Sequence, residues 1–122
     1  MKQTSTSPTR LASFGHALRG IRVLFKSQVN ARLHLLAATL VVALGWGLQV
    51  SASEWLALVL AMSAVFTSEA LNTALELVVD LVSPEWHALA RDAKDVAAGA
   101  VLLASMGAVV VGGLVFLPKF FN

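Results

Sequence analysis

The sequence predicts an all-α membrane protein, with an N-terminal amphipathic surface helix followed by three transmembrane helices in a single domain, 1–122. Of its residues, 57% are hydrophobic and 13% are charged, whereas a soluble domain carries about 45–50% apolar and about 25% charged residues. A chain this short buries too little surface to hide so much apolar area in a water-soluble globule. Lipid is therefore the expected surrounding of most of the chain.

The composition also excludes several kinds of site. The chain contains no cysteine, so neither a disulfide framework nor a thiolate zinc site is expected. Its three histidines do not share a metal-ligand spacing, and no glycine-rich nucleotide loop is present. The first residues are polar and the first long apolar run begins only after Arg32, a pattern that does not fit a secretory signal peptide.

The N-terminal third divides into a tail and a surface helix. Residues 1–9 are polar and predict a disordered tail. Over 10–27, apolar residues recur at helical spacing while basic residues gather along one flank, which is typical of a helix lying in the membrane interface. The apolar set is Leu11, Phe14, Leu18, Ile21 and Phe25, and the basic set is Arg19, Arg22 and Lys26.

Three apolar stretches follow, at 33–50, 55–79 and 96–117. Each approaches or exceeds the roughly 20 residues that a helix needs to cross the hydrocarbon of a bilayer. The polar segment 49–54 predicts a tight turn, and 80–95 predicts an interfacial loop. Small residues recur every four positions in the third stretch, which favours close helix packing in a bundle: Ala100, Ala104, Ala108 and Gly112.

The basic residues predict the orientation. All but one would lie on the same side of the membrane, and the exception is Lys119. Because cytoplasmic segments carry the excess of Lys and Arg, this places the N-terminus and the 80–95 loop in the cytoplasm, with the chain in the inner (cytoplasmic) membrane. The residues on that side are Lys2, Arg10, Arg19, Arg22, Lys26, Arg32, Arg91 and Lys94.

Three polar residues interrupt the second apolar stretch, and a fourth follows it directly: Glu69, Asn72 and Glu76, then Asp80. At about 100° per residue they fall within about 80° of arc on one helix face. Ionisable groups in a membrane helix are costly and mark an ion path, a proton relay or a reaction centre. A polar network that only holds helices together is the alternative, and two glutamates and an asparagine on one face favour function.

A second polar group lies at the entrance to the third stretch. The segment 85–95 contains His87, Arg91, Lys94 and Asp95. A helix N-terminus with a nearby lysine favours phosphate, although charges at such an entrance are often solvated anchors. The predicted topology brings this group to the cytoplasmic side, next to Glu76 and Asp80.

Taken together, these motifs resemble the small prokaryotic diacylglycerol kinase family, including its undecaprenol kinase members. The strongest marker is EALNTALE at 69–76, supported by VVDLVSPEWH at 78–87, AKDVAAGAVL at 93–102 and NARLH at 30–34. The resemblance covers about 13–119. It implies a homotrimer with composite sites between subunits, which transfers the γ-phosphate of ATP to a membrane lipid alcohol, undecaprenol or diacylglycerol, at the cytoplasmic face.

The resemblance also implies roles for individual residues. Glu69 corresponds to the general base, and Glu76 to the glutamate that binds the Mg²⁺ accompanying ATP. Asn72 and Arg10 fall among the lipid-substrate residues together with Glu69. The implied ATP-binding residues are His16, Gln28, Glu76, Glu85, Trp86, His87, Lys94 and Asp95.

One position departs from the family pattern. Gln28 stands where members place a second metal-binding glutamate, and a glutamine offers a carbonyl oxygen without a negative charge. We therefore expect weaker Mg²⁺ binding or an additional ligand, for which Asp80 and Asp95 are candidates.

Two other functions remain as alternatives. A small proton-coupled transporter using Glu69 as a relay explains the intramembrane carboxylates, but not Lys94 and Asp95 at the entrance to the third stretch. A non-enzymatic helical scaffold predicts that Glu69 and Glu76 matter only for stability.

Overall fold

The computed structural model describes residues 9–121, which form four helices: α1 (Arg10–Ser27), α2 (Val29–Gly47), α3 (Ala52–Val82) and α4 (Ala88–Phe121). Helices α2, α3 and α4 are long and apolar enough to cross a membrane. The predicted all-α fold, with an N-terminal helix before three membrane-length helices, is confirmed. Residues 1–8 of the predicted tail lie outside the described residues.

Helix α1 has a defined boundary at each end. The Thr9 hydroxyl accepts a hydrogen bond from the backbone N–H of Ala12 at 3.2 Å, which satisfies one free donor of the first turn. At the other end Gln28 has extended backbone angles, so the chain changes direction before α2 begins. Phe14 and Leu18 of the apolar stripe are exposed, as expected of a helix whose apolar face rests on lipid.

Helices α3 and α4 reach beyond the apolar stretches that predict them. The expected loop over 80–95 is in fact only 83–87, because α3 continues to Val82 and α4 already begins at Ala88. Lys94 and Asp95 therefore lie in the second turn of α4 and do not open the helix. Hydropathy locates where an apolar segment starts, whereas the residues before it are good helix formers that extend the same helix outward.

Helix α4 also continues past Pro118 to Phe121. The sequence predicts that this helix ends before Pro118. With 31 and 34 residues, α3 and α4 are about 46 Å and about 51 Å long at 1.5 Å per residue. Both exceed the roughly 30 Å hydrocarbon layer. Their ends therefore project from it.

An antiparallel α3–α4 hairpin provides most of the interhelical contact. Its buried core lies at the end opposite the 83–87 link, and there Lys119 forms an ion pair with Glu54 at 3.0 Å. The core residues are Val50, Leu58, Val115 and Phe116. Most other large apolar side chains are exposed, which fits helices that face lipid or another subunit.

Helix α2 packs on α3 through one close approach beside the α2–α3 turn. Gly45 is buried, and a Cβ built on it would come within 2.7 Å of the Trp55 indole. Trp46 meets Trp55 edge to face, with ring centroids 5.7 Å apart. The absence of a side chain at Gly45 lets the indole lie against the α2 backbone.

Candidate active site

The polar face of α3, consisting of Glu69, Asn72, Glu76 and Asp80, lies on one uninterrupted helix. Its three carboxylates each meet a side chain from a different part of the chain. Glu69 to Asp80 spans about 16 Å of helix rise. The face therefore runs from the interior of the bundle toward the 83–87 link.

The innermost carboxylate is almost completely enclosed. Glu69 is 2% exposed, and Nε2 of His34 on α2 lies 3.2 Å from its Oε1. That oxygen accepts no hydrogen bond from any side chain or backbone group within 9–121. One turn further, the buried Thr73 hydroxyl donates to the Glu69 backbone carbonyl at 2.9 Å. That bond is to the backbone, so the Thr73 hydroxyl does not donate to the carboxylate in this arrangement.

Asn72 lies on the same face with its Oδ1 buried. This oxygen also accepts no hydrogen bond from the part of the chain that the structure describes. A buried acceptor without a donor is costly. Asn72 is thus ready to receive an N–H or O–H group from a ligand or another subunit.

The middle carboxylate contacts the link between α1 and α2. The side-chain amide of Gln28 donates to Oε2 of Glu76 over 3.5 Å, a long hydrogen bond. Gln28 occupies the one extended position between the two helices. The break between α1 and α2 therefore brings an amide to the polar face of α3.

The outermost carboxylate joins α3 to α4. Asp80 pairs with Lys94, and both side chains are solvent-accessible. Beside this pair lies a polar cavity of about 290 Å³. Its lining includes five predicted ATP-binding residues, which the structure brings together: Glu85, Trp86, His87, Lys94 and Asp95.

Trp86 in this cavity is held from one side. The guanidinium of Arg91 lies 5.8 Å from the centre of the Trp86 ring and forms an ion pair with Asp92 at 2.9 Å. The indole remains 77% exposed. It therefore keeps a free aromatic surface beside Lys94 and Asp95.

A larger, apolar cavity of about 360 Å³ lies between α2, α3 and α4. His34 is at one end, near Glu69, and Phe116 lines the opposite end. Small residues such as Ala108 and Gly112 leave the space open on the α4 side. The cavity offers an apolar chain a path alongside the helices to the buried carboxylate.

Two predicted site residues lie away from both these cavities and the polar face of α3. Arg10 and His16 are exposed on α1 and line neither the polar nor the apolar cavity. Arg10 lies about 27 Å of helix rise from Gln28. Their predicted roles remain predictions.

Similarity to known proteins decides the family. The prokaryotic diacylglycerol kinase family profile matches residues 15–116. The undecaprenol kinase of Bacillus subtilis (strain 168) is 41% identical over 107 residues, covering 88% of this chain and 87% of that protein. The chain belongs to the prokaryotic diacylglycerol kinase family.

Relatives named diacylglycerol kinase agree. The Synechocystis protein is 44% identical over 117 residues, covering 95% of this chain and 67% of that protein. The Escherichia coli K12 protein is 32% identical over 121 residues, covering 98% and 99%. The chain is therefore a membrane-embedded lipid kinase that uses ATP, as the motifs predict. Nothing in these relatives favours the transporter alternative.

In this prokaryotic diacylglycerol kinase, the residues described do not form a complete binding site for a divalent cation. Among residues 9–121, no three His, Asp or Glu side chains come together as a preformed metal site. Mg²⁺ in nucleotide sites is commonly held by one or two carboxylates together with the substrate phosphates. Glu76 with the amide oxygen of Gln28 fits such a partial ligand set.

Sequence reasoning missed His34 and Thr73 as members of the site. His34 is predicted as a surface or interfacial residue, yet it is half-buried beside Glu69. Its place in the NARLH segment at 30–34 is the available signal. Thr73 lies at about 40° from Glu69 on the helical wheel, within reach of the same face.

Proposed function

We propose that this kinase transfers the γ-phosphoryl group of ATP to the hydroxyl of a membrane lipid alcohol at the cytoplasmic face. The observation that supports this best is the change along α3 from a buried carboxylate to a solvent-accessible charged pair. The buried Glu69 lies beside an apolar cavity, and the charged pair Asp80–Lys94 lies beside a polar cavity. A lipid enters through the bilayer and a nucleotide from water, and such an arrangement lets the two meet.

Glu69 acts as the general base in this proposal. The lipid hydroxyl oxygen attacks the γ-phosphorus while its proton passes to the Glu69 carboxylate. The bond from the γ-phosphorus to the β–γ bridging oxygen breaks, and ADP leaves with that oxygen. Proton acceptance by a positioned carboxylate contributes about 10²–10⁴-fold to such reactions. Asn72, whose buried Oδ1 accepts no hydrogen bond from residues 9–121, orients the hydroxyl.

The nucleotide is bound by the residues of the polar cavity. Lys94 exchanges its partner Asp80 for phosphate oxygens, since an ammonium group is well suited to phosphate as a point charge. Trp86 and His87 offer exposed ring surfaces for the base, and Glu85 and Asp95 complete the lining. Phosphoryl transfer depends mainly on positioning and charge neutralisation, which these groups supply.

Glu76 and Gln28 are the residues that would hold Mg²⁺ together with the ATP phosphates. A bound cation neutralises charge on the phosphate oxygens. Because the Gln28 amide donates its N–H to Glu76, it must turn to present its carbonyl oxygen to a cation. Asp80, one turn beyond Glu76, is the candidate additional carboxylate.

The active unit is a homotrimer with sites completed between subunits. Arg10, proposed for the lipid, and His16, proposed for ATP, lie on exposed positions of α1, away from both cavities of their own chain. The exposed apolar faces of α2 and α4 provide surface for helix association. Neighbouring subunits then bring α1 to the site.

The orientation follows the basic residues. With the N-terminus and the 83–87 link in the cytoplasm of the cell and the chain in its inner membrane, the polar cavity faces the ATP pool. The Trp46–Trp55 pair then lies at the opposite interface, where aromatic side chains are enriched.

The specificity of the kinase depends on which lipid alcohol it phosphorylates. Relatives are named undecaprenol kinase and diacylglycerol kinase, so we propose one of these two alcohols. Purified protein in mixed micelles with radiolabelled ATP, offered each lipid separately, tests the function. A labelled lipid phosphate from either alcohol supports it, and ATP-independent solute flux in proteoliposomes without lipid phosphorylation would reject it.

A further inference from the structure

His34 is the polar residue through which the apolar cavity meets the buried base. The cavity is lined by His34 but not by Glu69, and its other lining groups are apolar apart from Ser105. The imidazole is 28% exposed, whereas the carboxylate behind it is 2% exposed. A lipid in the cavity therefore contacts the imidazole on its way to the carboxylate.

A carboxylate in this position requires a partner. An isolated ionised group is costly to bury, and a neutral carboxylic acid accepts no proton from an alcohol. Within 9–121, no hydrogen bond reaches Oε1 of Glu69, and Nε2 of His34 lies 3.2 Å from that oxygen.

We infer that His34 is a positioning residue for Glu69, resting on the proposed role of Glu69 as the base. Its Nε2–H engages Oε1, which holds the carboxylate in one orientation and leaves Oε2 for the lipid hydroxyl.

The other charged groups on the helices around the His34–Glu69 pair lie away from it. On α3 the next titratable group is Glu76, about 10 Å further along the helix. On α1 the aromatic ring of Phe25 packs against Phe66 of α3, and Lys26 is exposed. On α2 Arg32 is exposed, and the α4 residues that line the cavity are uncharged.

The test compares His34→Gln, which retains an N–H donor, with His34→Leu, which retains none. In the leucine variant kcat should fall about 100-fold or more, and in the glutamine variant by less than about tenfold. The KM for ATP should stay unchanged in both.

Thr39→Val is the matched control on α2, since among residues 9–121 the Thr39 hydroxyl donates only to the Leu35 carbonyl; its kcat should match that of the parent protein. A parent-like kcat in His34→Leu overturns the inference. So does a kcat in His34→Gln as low as that of Glu69→Gln, which also decides the matter if the leucine variant does not assemble. Glu69→Gln is assayed in parallel, because activity there rejects the base assignment itself, whereas an inactive Glu69→Gln with a parent-like His34→Leu rejects only the role of His34.

Discussion

The amide of Gln28 lies 3.5 Å from the carboxylate of Glu76 and connects the α1–α2 link to the polar face of α3. The pair carries one negative charge, where the family pattern predicts two glutamates. Carboxylate charge is a main source of affinity for a divalent cation. The proposed metal role of this pair therefore predicts that its charge sets how much Mg²⁺ the kinase needs.

Gln28→Glu should lower the Mg²⁺ concentration required for half-maximal activity, by about threefold to tenfold. The added carboxylate lies beside Glu76 and supplies both a ligand and a charge. The measurement is initial rate against free Mg²⁺ at saturating ATP and lipid. Asn30→Asp, which adds the same charge at an exposed α2 position, should leave the requirement unchanged, and an equal effect of both variants would contradict the assignment.

Glu76→Gln should raise the Mg²⁺ requirement sharply, about tenfold or more, because it removes the one carboxylate of the pair. Mn²⁺, which is bound more tightly than Mg²⁺ by oxygen ligands, should restore part of the activity. Titration with each cation checks both statements. An unchanged Mg²⁺ dependence would place the cation elsewhere.

Lys94→Ala should raise the KM for ATP about tenfold or more, with a smaller effect on the KM for lipid. Lys94 lies in the polar cavity and pairs with Asp80, so its loss removes a cation from the proposed phosphate site. Two-substrate kinetics separate the two constants. Lys26→Ala removes an exposed cation at the end of α1 and should leave the KM for ATP as it was; equal changes would indicate a general surface-charge effect.

Gly45→Ala should destabilise the protein by about 1–3 kcal/mol, since overpacking a tight contact carries a cost of that order. The new Cβ would come within 2.7 Å of the Trp55 indole. Gly47→Ala, two residues along the same helix, meets nothing within 4 Å and should be neutral or slightly stabilising. Thermal unfolding in detergent compares them, and equal midpoints for the two variants would contradict the packing at Trp55.

Much of this fold follows from sequence periodicity and hydropathy. The spacing of Glu69, Glu76 and Asp80 fixes a common face once the segment is a helix, because the helical repeat determines the angle between them. Hydropathy identifies the three membrane-length helices for the same local reason. Hydropathy does not show where these helices begin and end. Helix α4, for example, begins at Ala88, earlier than the apolar stretch at 96–117.

Contacts between helices are not contained in these local patterns. The position of His34 beside Glu69 depends on how α2 rotates against α3, and that rotation is set by packing such as Gly45 against Trp55. Thr73 was overlooked because a single threonine in a helix usually bonds its own backbone, as it does here. The proposed roles of Arg10 and His16 would require neighbouring subunits, which a single chain does not display.

Lipid phosphorylation by Glu69→Gln is the measurement that tests the account most directly. The substitution keeps the size of the side chain and removes its ability to accept a proton, so turnover should fall by about 10²–10⁴-fold while the oligomer persists on size-exclusion chromatography. Glu54→Gln, which removes a carboxylate at the opposite end of the same helix, should retain near-parental turnover. If Glu69→Gln turns over at a rate comparable to the parent protein, the buried carboxylate is not the base and the proposed mechanism is wrong.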